Sequence, residues 1–239
     1  MFIGTTETGG FFVKTVFIEA QYEGEVKLSE EVLDYLSKKG YKKIGLYAAI
    51  QFCNNLDKVK EQLKEKKIIV VTTKAKRCGV EGQLLGCDSA KDSLNLDQEV
   101  DAFLYIGDGK FHPQALAYGN EKEIICYNPK SNTFEVITKE EISANLKRAQ
   151  GALVKFHSSQ NIGVMITVKP GQEYFLSSLK LQEKYPKKKF YYFVDNNISF
   201  NQLENFPFID VWVNTACPRI GLDDQAMFRK GVVNLKDVC

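Results

Sequence analysis

No two of the six cysteines (53, 78, 87, 126, 217 and 239) have the two-residue separation of a zinc knuckle, which argues against a compact structural zinc site. Long apolar runs are missing too. The N-terminal stretch MFIGTTETGGFFVKTVFIEA is apolar in patches, but Glu7, Lys14 and Glu19 interrupt it, and nothing approaches the roughly 20 apolar residues of a membrane span. Charge of one sign is not in excess. Thirty-two basic and 30 acidic side chains leave a net charge of +2, so no global field argues for a nucleic-acid or membrane partner. Without a secretory signal, the scattered cysteines read as reduced thiols, metal ligands or core residues of a cytoplasmic protein.

What is present is a chain of 239 residues, 44% hydrophobic, able to bury a real core. Apolar runs of strand length alternate with helix-period segments. In LSEEVLDYLSKKG, Leu28, Val32, Leu33 and Leu36 share one helical face and Gly40 stands at the C-cap position. KIGLYAAIQF reads as a buried strand, NNLDKVKEQLKEKK as a helix opening on an asparagine cap, and IIVVTT as a strand. AFLYIGDG, FHPQALAYGN and EIICYNP continue the pattern as strand, helix and strand. A second unit starts at TKEEISANLKRAQ, where Thr138 and Glu141 have capping-box spacing, and runs through NIGVMITV, EYFLSSLKLQEKY, KFYYFV, SFNQLENF and IDVWVNTAC.

This rhythm predicts an α/β fold of two similar small domains, each a parallel sheet flanked by helices. The expected boundaries are a short N-terminal extension ending in a strand (1–25), a first α/β domain with Cys87 (26–135) and a second with Cys217 (136–239), joined near 130–138. The basic runs at 64–67 and 187–189 are expected to be solvated helix ends, which the helix dipole favours.

In open parallel sheets, ligands collect beyond the carboxyl ends of the strands. That rule selects Gln51 and Cys53 after one strand, Gly107, Asp108 and Gly109 after another, and Lys169, Gly171 and Gln172 after a third. Cys217 follows a fourth. Cys87 lies in the loop after IIVVTTKAK, where Gly82 and Gly86 let the backbone turn tightly. A cysteine is more often core filler than ligand, and Cys126 inside EIICY reads that way, with Cys239 incidental. Cys87 and Cys217 are placed equivalently in their two domains, which suggests a common ligand.

Six segments, DVWVNTACPRIGLDD (210–224), GQLLGCDSA (82–90), FLYIGDGKFHPQALA (103–117), YNPKSNTF (127–134), ITVKPGQ (166–172) and YYFVDNNIS (191–199), together resemble one family in order and interval. It is the diphthamide-synthesis family of 3-amino-3-carboxypropyl transferases, which modify a histidine of translation elongation factor 2. The KPGQ form is similar to archaeal members. The resemblance implies three related α/β domains, each giving one cysteine to a [4Fe-4S] cluster whose open iron takes S-adenosylmethionine. Electron transfer from that cluster then yields a 3-amino-3-carboxypropyl radical in place of a deoxyadenosyl one. Soft thiolates are the ligands such clusters take.

On this resemblance, Cys87 matches the middle-domain ligand and Cys217 the last-domain ligand. The family's first ligand lies in a domain ahead of VFIEAQYEGEV, where this chain has only residues 1–14 before the resemblance begins and no cysteine among them. Cys53, Cys78 or a separate chain in a homo- or heterodimer could complete the set, with Cys53 retained as the third candidate. Gln172, with Gly171 admitting the backbone, is expected to contact the methionine part of the cofactor, and Gln51 and Asp108 are second choices. Arg219 is expected to pair with a carboxylate, either the ligand's or that of Asp223 or Asp224. The alternative is a catalytically incomplete two-domain homologue serving as partner or scaffold of a complete transferase.

Overall fold

The computed structural model describes residues 3–8, 11–16, 20–87, 93–96, 99–169 and 172–239. The chain divides into two compact units, Met1–Glu141 and Ile142–Cys239. Among the described residues no helix is long and apolar enough to cross a membrane.

The first unit opens with an antiparallel hairpin of β1 (Ile3–Thr8) and β2 (Phe11–Val16). Helix α1 (Glu30–Lys39) follows and buries Val32, Leu33 and Leu36 on one face. It ends at Gly40, whose φ of 69° is the left-handed conformation glycine adopts at least cost. Strand β3 (Lys43–Ala48) is buried throughout except at Lys43, flanked by another strand on each of its two edges, the burial typical of an inner strand of a parallel sheet. Helix α2 (Asp57–Glu65) packs through Val59 and Leu63 and leads to β4 (Ile69–Val71). Strand β5 (Ala102–Ile106), helix α3 (Phe111–Gly119), strand β6 (Glu123–Asn128) and strand β7 (Thr133–Ile137) complete the unit. The sheet order is β4-β3-β5-β6-β7, parallel except for β7.

The second unit begins in α4 (Lys139–Ser158), which starts just before the division. It contains β8 (Asn161–Thr167), α5 (Phe175–Lys184), β9 (Lys189–Asp195), α6 (Phe200–Leu203), β10 (Val211–Asn214), β11 (Val232–Asn234) and α7 (Leu235–Val238). All four strands are parallel, in the order β11-β10-β8-β9. One face buries Phe156, Ile162, Val164, Val211 and Val213, and the other buries Met165, Ile209 and Trp212. Each such side chain contributes roughly 1.5–3 kcal/mol. Gly163 is required under the indole: a Cβ there would stand 2.3 Å from Cζ3 of Trp212.

Several local expectations give way to tertiary partners. The run KIGLYAAIQF is not one strand, since β3 stops at Ala48 and residues 50–55 turn into a 3-10 helix. Asn55 does not cap α2; its amide donates to the carbonyls of Tyr22 and Gly24, tying down the N-terminal segment. The expected joint near 130–138 is occupied by β7, paired antiparallel to β6. Lys188 is not a solvated helix end. Its ammonium donates to the carbonyls of Phe156, His157 and Ser159 at 2.6, 3.0 and 2.5 Å, capping α4, and burial lowers its pKa.

Candidate functional site

In the first unit, the carboxyl end of β3 anchors two loops. Gln83 forms a parallel bridge with Ala48, through Ala48 N–H to the Gly82 carbonyl at 2.7 Å and Leu84 N–H to the Ala48 carbonyl at 3.0 Å. Gly82 has a φ of 76°, and its position is further held by its N–H donating to the Thr73 carbonyl. The Gln83 side chain accepts from Gly79 N–H at 2.9 Å, and the buried Cys78 thiol donates to the Gln83 carbonyl at 3.1 Å. Gly86 lies against the ring of Phe111, the first residue of α3, so closely that a Cβ would sit 2.5 Å from Cε1. Cys87 follows directly as a half-buried thiol, next to the sheet's carboxyl edge and a helix start.

Cys53 occupies the 3-10 helix after β3 and donates to the Ala49 carbonyl at 3.4 Å. Gln51 sits in the same turn, half-buried, its carbonyl accepting from Tyr22 N–H. Asp108 is exposed after β5 and accepts from the Asn128 amide at 3.0 Å. The Tyr105 hydroxyl is buried and, among the described residues, has no hydrogen-bond partner, its ring lying over Gly107. Burial, then the nearby Cys126, Cys53 and Asp108, raises its pKa. Burial likewise pushes the Cys126 thiol up to about 12, which keeps it a protonated core residue.

In the second unit, Cys217 follows β10 on a loop held by two buried asparagines. Asn214 Nδ2 donates to the Cys217 carbonyl at 2.8 Å and to Asn234 Oδ1 at 2.7 Å, while its Oδ1 accepts from Ala216 N–H. Asn234 Nδ2 donates to the Pro218 carbonyl at 3.0 Å. Thr215 donates to the Met165 carbonyl on β8 through both N–H and hydroxyl. Arg219, its side chain 3% exposed, pairs with Asp223 through Nε and Nη2 at 2.6 and 2.5 Å, so that of the two aspartates expected beside the ligand's carboxylate it is Asp223 that takes it. Asp224 is pushed up by burial and by Asp223, with Arg219 opposing. Removing one member of so buried a pair typically costs about 3–5 kcal/mol.

Above β8, the half-buried Gln172 donates its N–H to the Lys169 carbonyl at 3.0 Å, and Lys169 bonds Asn197 at 2.6 Å. The start of α5 is served by Glu173, which accepts from Phe175 N–H, so Gln172 is not the cap. Gly171 lies outside the described residues. The asparagine pair and Gln83 were missed by reading the sequence, because each acts through a partner distant along the chain. The only local signal was that Asn214 and Asn234 both end strands.

Two thiols are thus presented beyond strand ends, one in each unit, on loops locked by backbone and amide hydrogen bonds. In kind they fit iron: soft, half-buried donors on otherwise preformed loops. Among the described residues no three His, Cys, Asp or Glu side chains form a group ready to hold a metal ion.

The family model of diphthamide synthesis proteins matches residues 5–238. A 2-(3-amino-3-carboxypropyl)histidine synthase of Methanocaldococcus jannaschii is 30% identical over 231 residues, covering 92% of this chain and 59% of the relative. The synthase of Pyrococcus horikoshii is 28% identical, covering 95% and 65%. Crystal structures of Dph2 from Pyrococcus horikoshii superpose with TM-scores of 0.72 and, for the form with a 4Fe-4S cluster, 0.70, both at 27% identity. These cover 89% and 87% of this chain and 61% and 60% of theirs. The chain therefore spans about three fifths of the length of these relatives.

Proposed function

The chain belongs to the diphthamide synthesis protein family, and on that premise we propose that it acts in forming 2-(3-amino-3-carboxypropyl)histidine on elongation factor 2, with S-adenosylmethionine as donor. Cys87 and Cys217 each give a thiolate to a [4Fe-4S] cluster. The observation that supports this most is the matched placement of the two thiols, each half-buried beyond the carboxyl end of a parallel strand on a pinned loop. When bound and reduced, the cluster would supply the electron that splits a carbon–sulfur bond of the sulfonium, freeing the 3-amino-3-carboxypropyl group for addition to the imidazole.

The chain's own residues then bind and orient. Cys217 is held through its carbonyl by Asn214, which leaves the sulfur position set by the backbone. Gln172 and Gly171 contact the amino and carboxylate groups of the methionine part, with Gln51 and Asp108 as further polar contacts at the first unit's strand ends. Cys53 is the third ligand candidate within the chain, and binding iron would replace its hydrogen bond to Ala49.

A second reading rests on the two, not three, cluster ligands that the resemblance carries onto this sequence. In it the chain is a partner or scaffold for a complete transferase. Anaerobic reconstitution separates the two. The enzyme reading expects roughly four irons and the broad visible absorption of a [4Fe-4S] cluster, lost in both Cys87→Ala and Cys217→Ala, and methylthioadenosine release from S-adenosylmethionine with dithionite. Protein that binds no iron alone, but restores activity to an incomplete transferase, fits the scaffold.

A further inference from the structure

Strand β4 is the outer strand of the five-stranded sheet. It pairs with β3 in the register Ile69 to Lys43 and Val71 to Gly45. Ile69 donates its N–H to Lys42, so alternation directs the N–H and C=O of Val70 away from β3 and toward the open edge. A groove of about 600 Å³ runs along this edge. Lys60 and Lys64 of α2 and Lys67 beyond it line one side, and Glu81 is the acidic group among the lining residues. Lys60 touches Asp57 only at 3.8 Å, and among the described residues Lys64 and Lys67 have no ion-pair partner. Ile69, 59% exposed, adds an apolar spot.

We propose that this groove binds an extended acidic segment of a partner protein as an added β-strand. The backbone groups of Val70, without a partner among the described residues, supply main-chain pairing, as in other cases of strand addition. The strand period of two would place alternate carboxylates of the incoming segment toward the lysines and its apolar residues toward Ile69. Charge argues against a second copy of the chain, since edge-to-edge pairing would bring lysines against lysines. Among the described residues the lining has no aromatic side chain on which bases could stack, which disfavours single-stranded nucleic acid. The proposal requires no bound cluster and stands apart from the reading of Cys87 and Cys217.

The test uses the whole chain and a fluorescein-labelled peptide of about ten residues alternating glutamate with valine. Two controls accompany it, the same peptide with lysine for glutamate and an oligouridylate of matched charge. The expected result is saturable anisotropy that weakens with salt, falls about tenfold or more in the Lys64→Glu/Lys67→Glu variant, and slows hydrogen exchange at the Val70 amide of the unaltered chain. No binding, equal or tighter binding of either control, or an unchanged affinity in the double variant would overturn it. Val70 protection that rises with protein concentration in the absence of peptide would overturn it too, in favour of self-association.

Discussion

Asn214 and Asn234 are register partners at the ends of β10 and β11, and their side chains bond to each other at 2.7 Å while each also holds a carbonyl of the Cys217–Pro218 step. The loop carrying the thiol is thereby fixed by two strands at once. Such a satisfied buried amide network is worth most as positional restraint, because losing either member leaves the other unpaired.

Asn234→Ala is expected to cost about 1–3 kcal/mol in urea unfolding and to speed exchange of the Ile220 amide, which donates to Cys217. Gly221→Ala should cost a similar amount, since its Cβ would fall 2.3 Å from Asn234 Oδ1. In the Asn234→Ala background the second substitution should cost clearly less. Additive costs would show that the clash is not with the asparagine.

Cys78 and Cys87 lie nine positions apart but should behave oppositely. Cys78 is buried and bonds the Gln83 carbonyl, so Cys78→Ala should lower stability by about 1–2 kcal/mol and leave iron content unchanged. Cys87→Ala should reduce bound iron with little change in the unfolding of the iron-free chain. Iron assay and urea titration on both variants check this.

Tyr105→Phe is expected to stabilise the chain by about 1 kcal/mol, because it removes a buried hydroxyl that has no partner among the described residues while keeping the ring over Gly107. A loss of stability in chemical unfolding would mean that the hydroxyl is satisfied in solution.

At the amino-terminal end of β6 in the same sheet, Glu123 accepts hydrogen bonds from Tyr41, Lys39 and Tyr35. Burial alone would raise its pKa, but these three bonds outweigh it and the value is lowered. The contribution is therefore complete above about pH 4.3, the ordinary glutamate value, and is lost as pH falls through the lowered native one. Glu123→Gln should cost about 1–2 kcal/mol near neutral pH and flatten the acid limb of the stability profile.

Periodicity alone was enough for helix α1 with its terminal glycine and for the alternation of buried strands with helices, since both follow from which residues must leave water. Strand-end logic also placed Cys87 and Cys217 after strands without knowledge of any partner. Strand β7 escaped, because TFEVI is a half-exposed edge strand whose pattern is weak and whose pairing depends on β6. Asn55 looked like a helix cap and Lys188 like a solvated charge, yet each found carbonyls more than 20 residues away.

The amino-acid order by itself determined which segments bury and on which edge of each sheet the thiols emerge, because burial and pleat are local consequences of side-chain type. What holds those thiols was decided only in three dimensions. Asn214 meets Asn234, Gly86 meets Phe111 and Gln83 meets Ala48 through hydrogen bonds and van der Waals contacts that have no local sequence period.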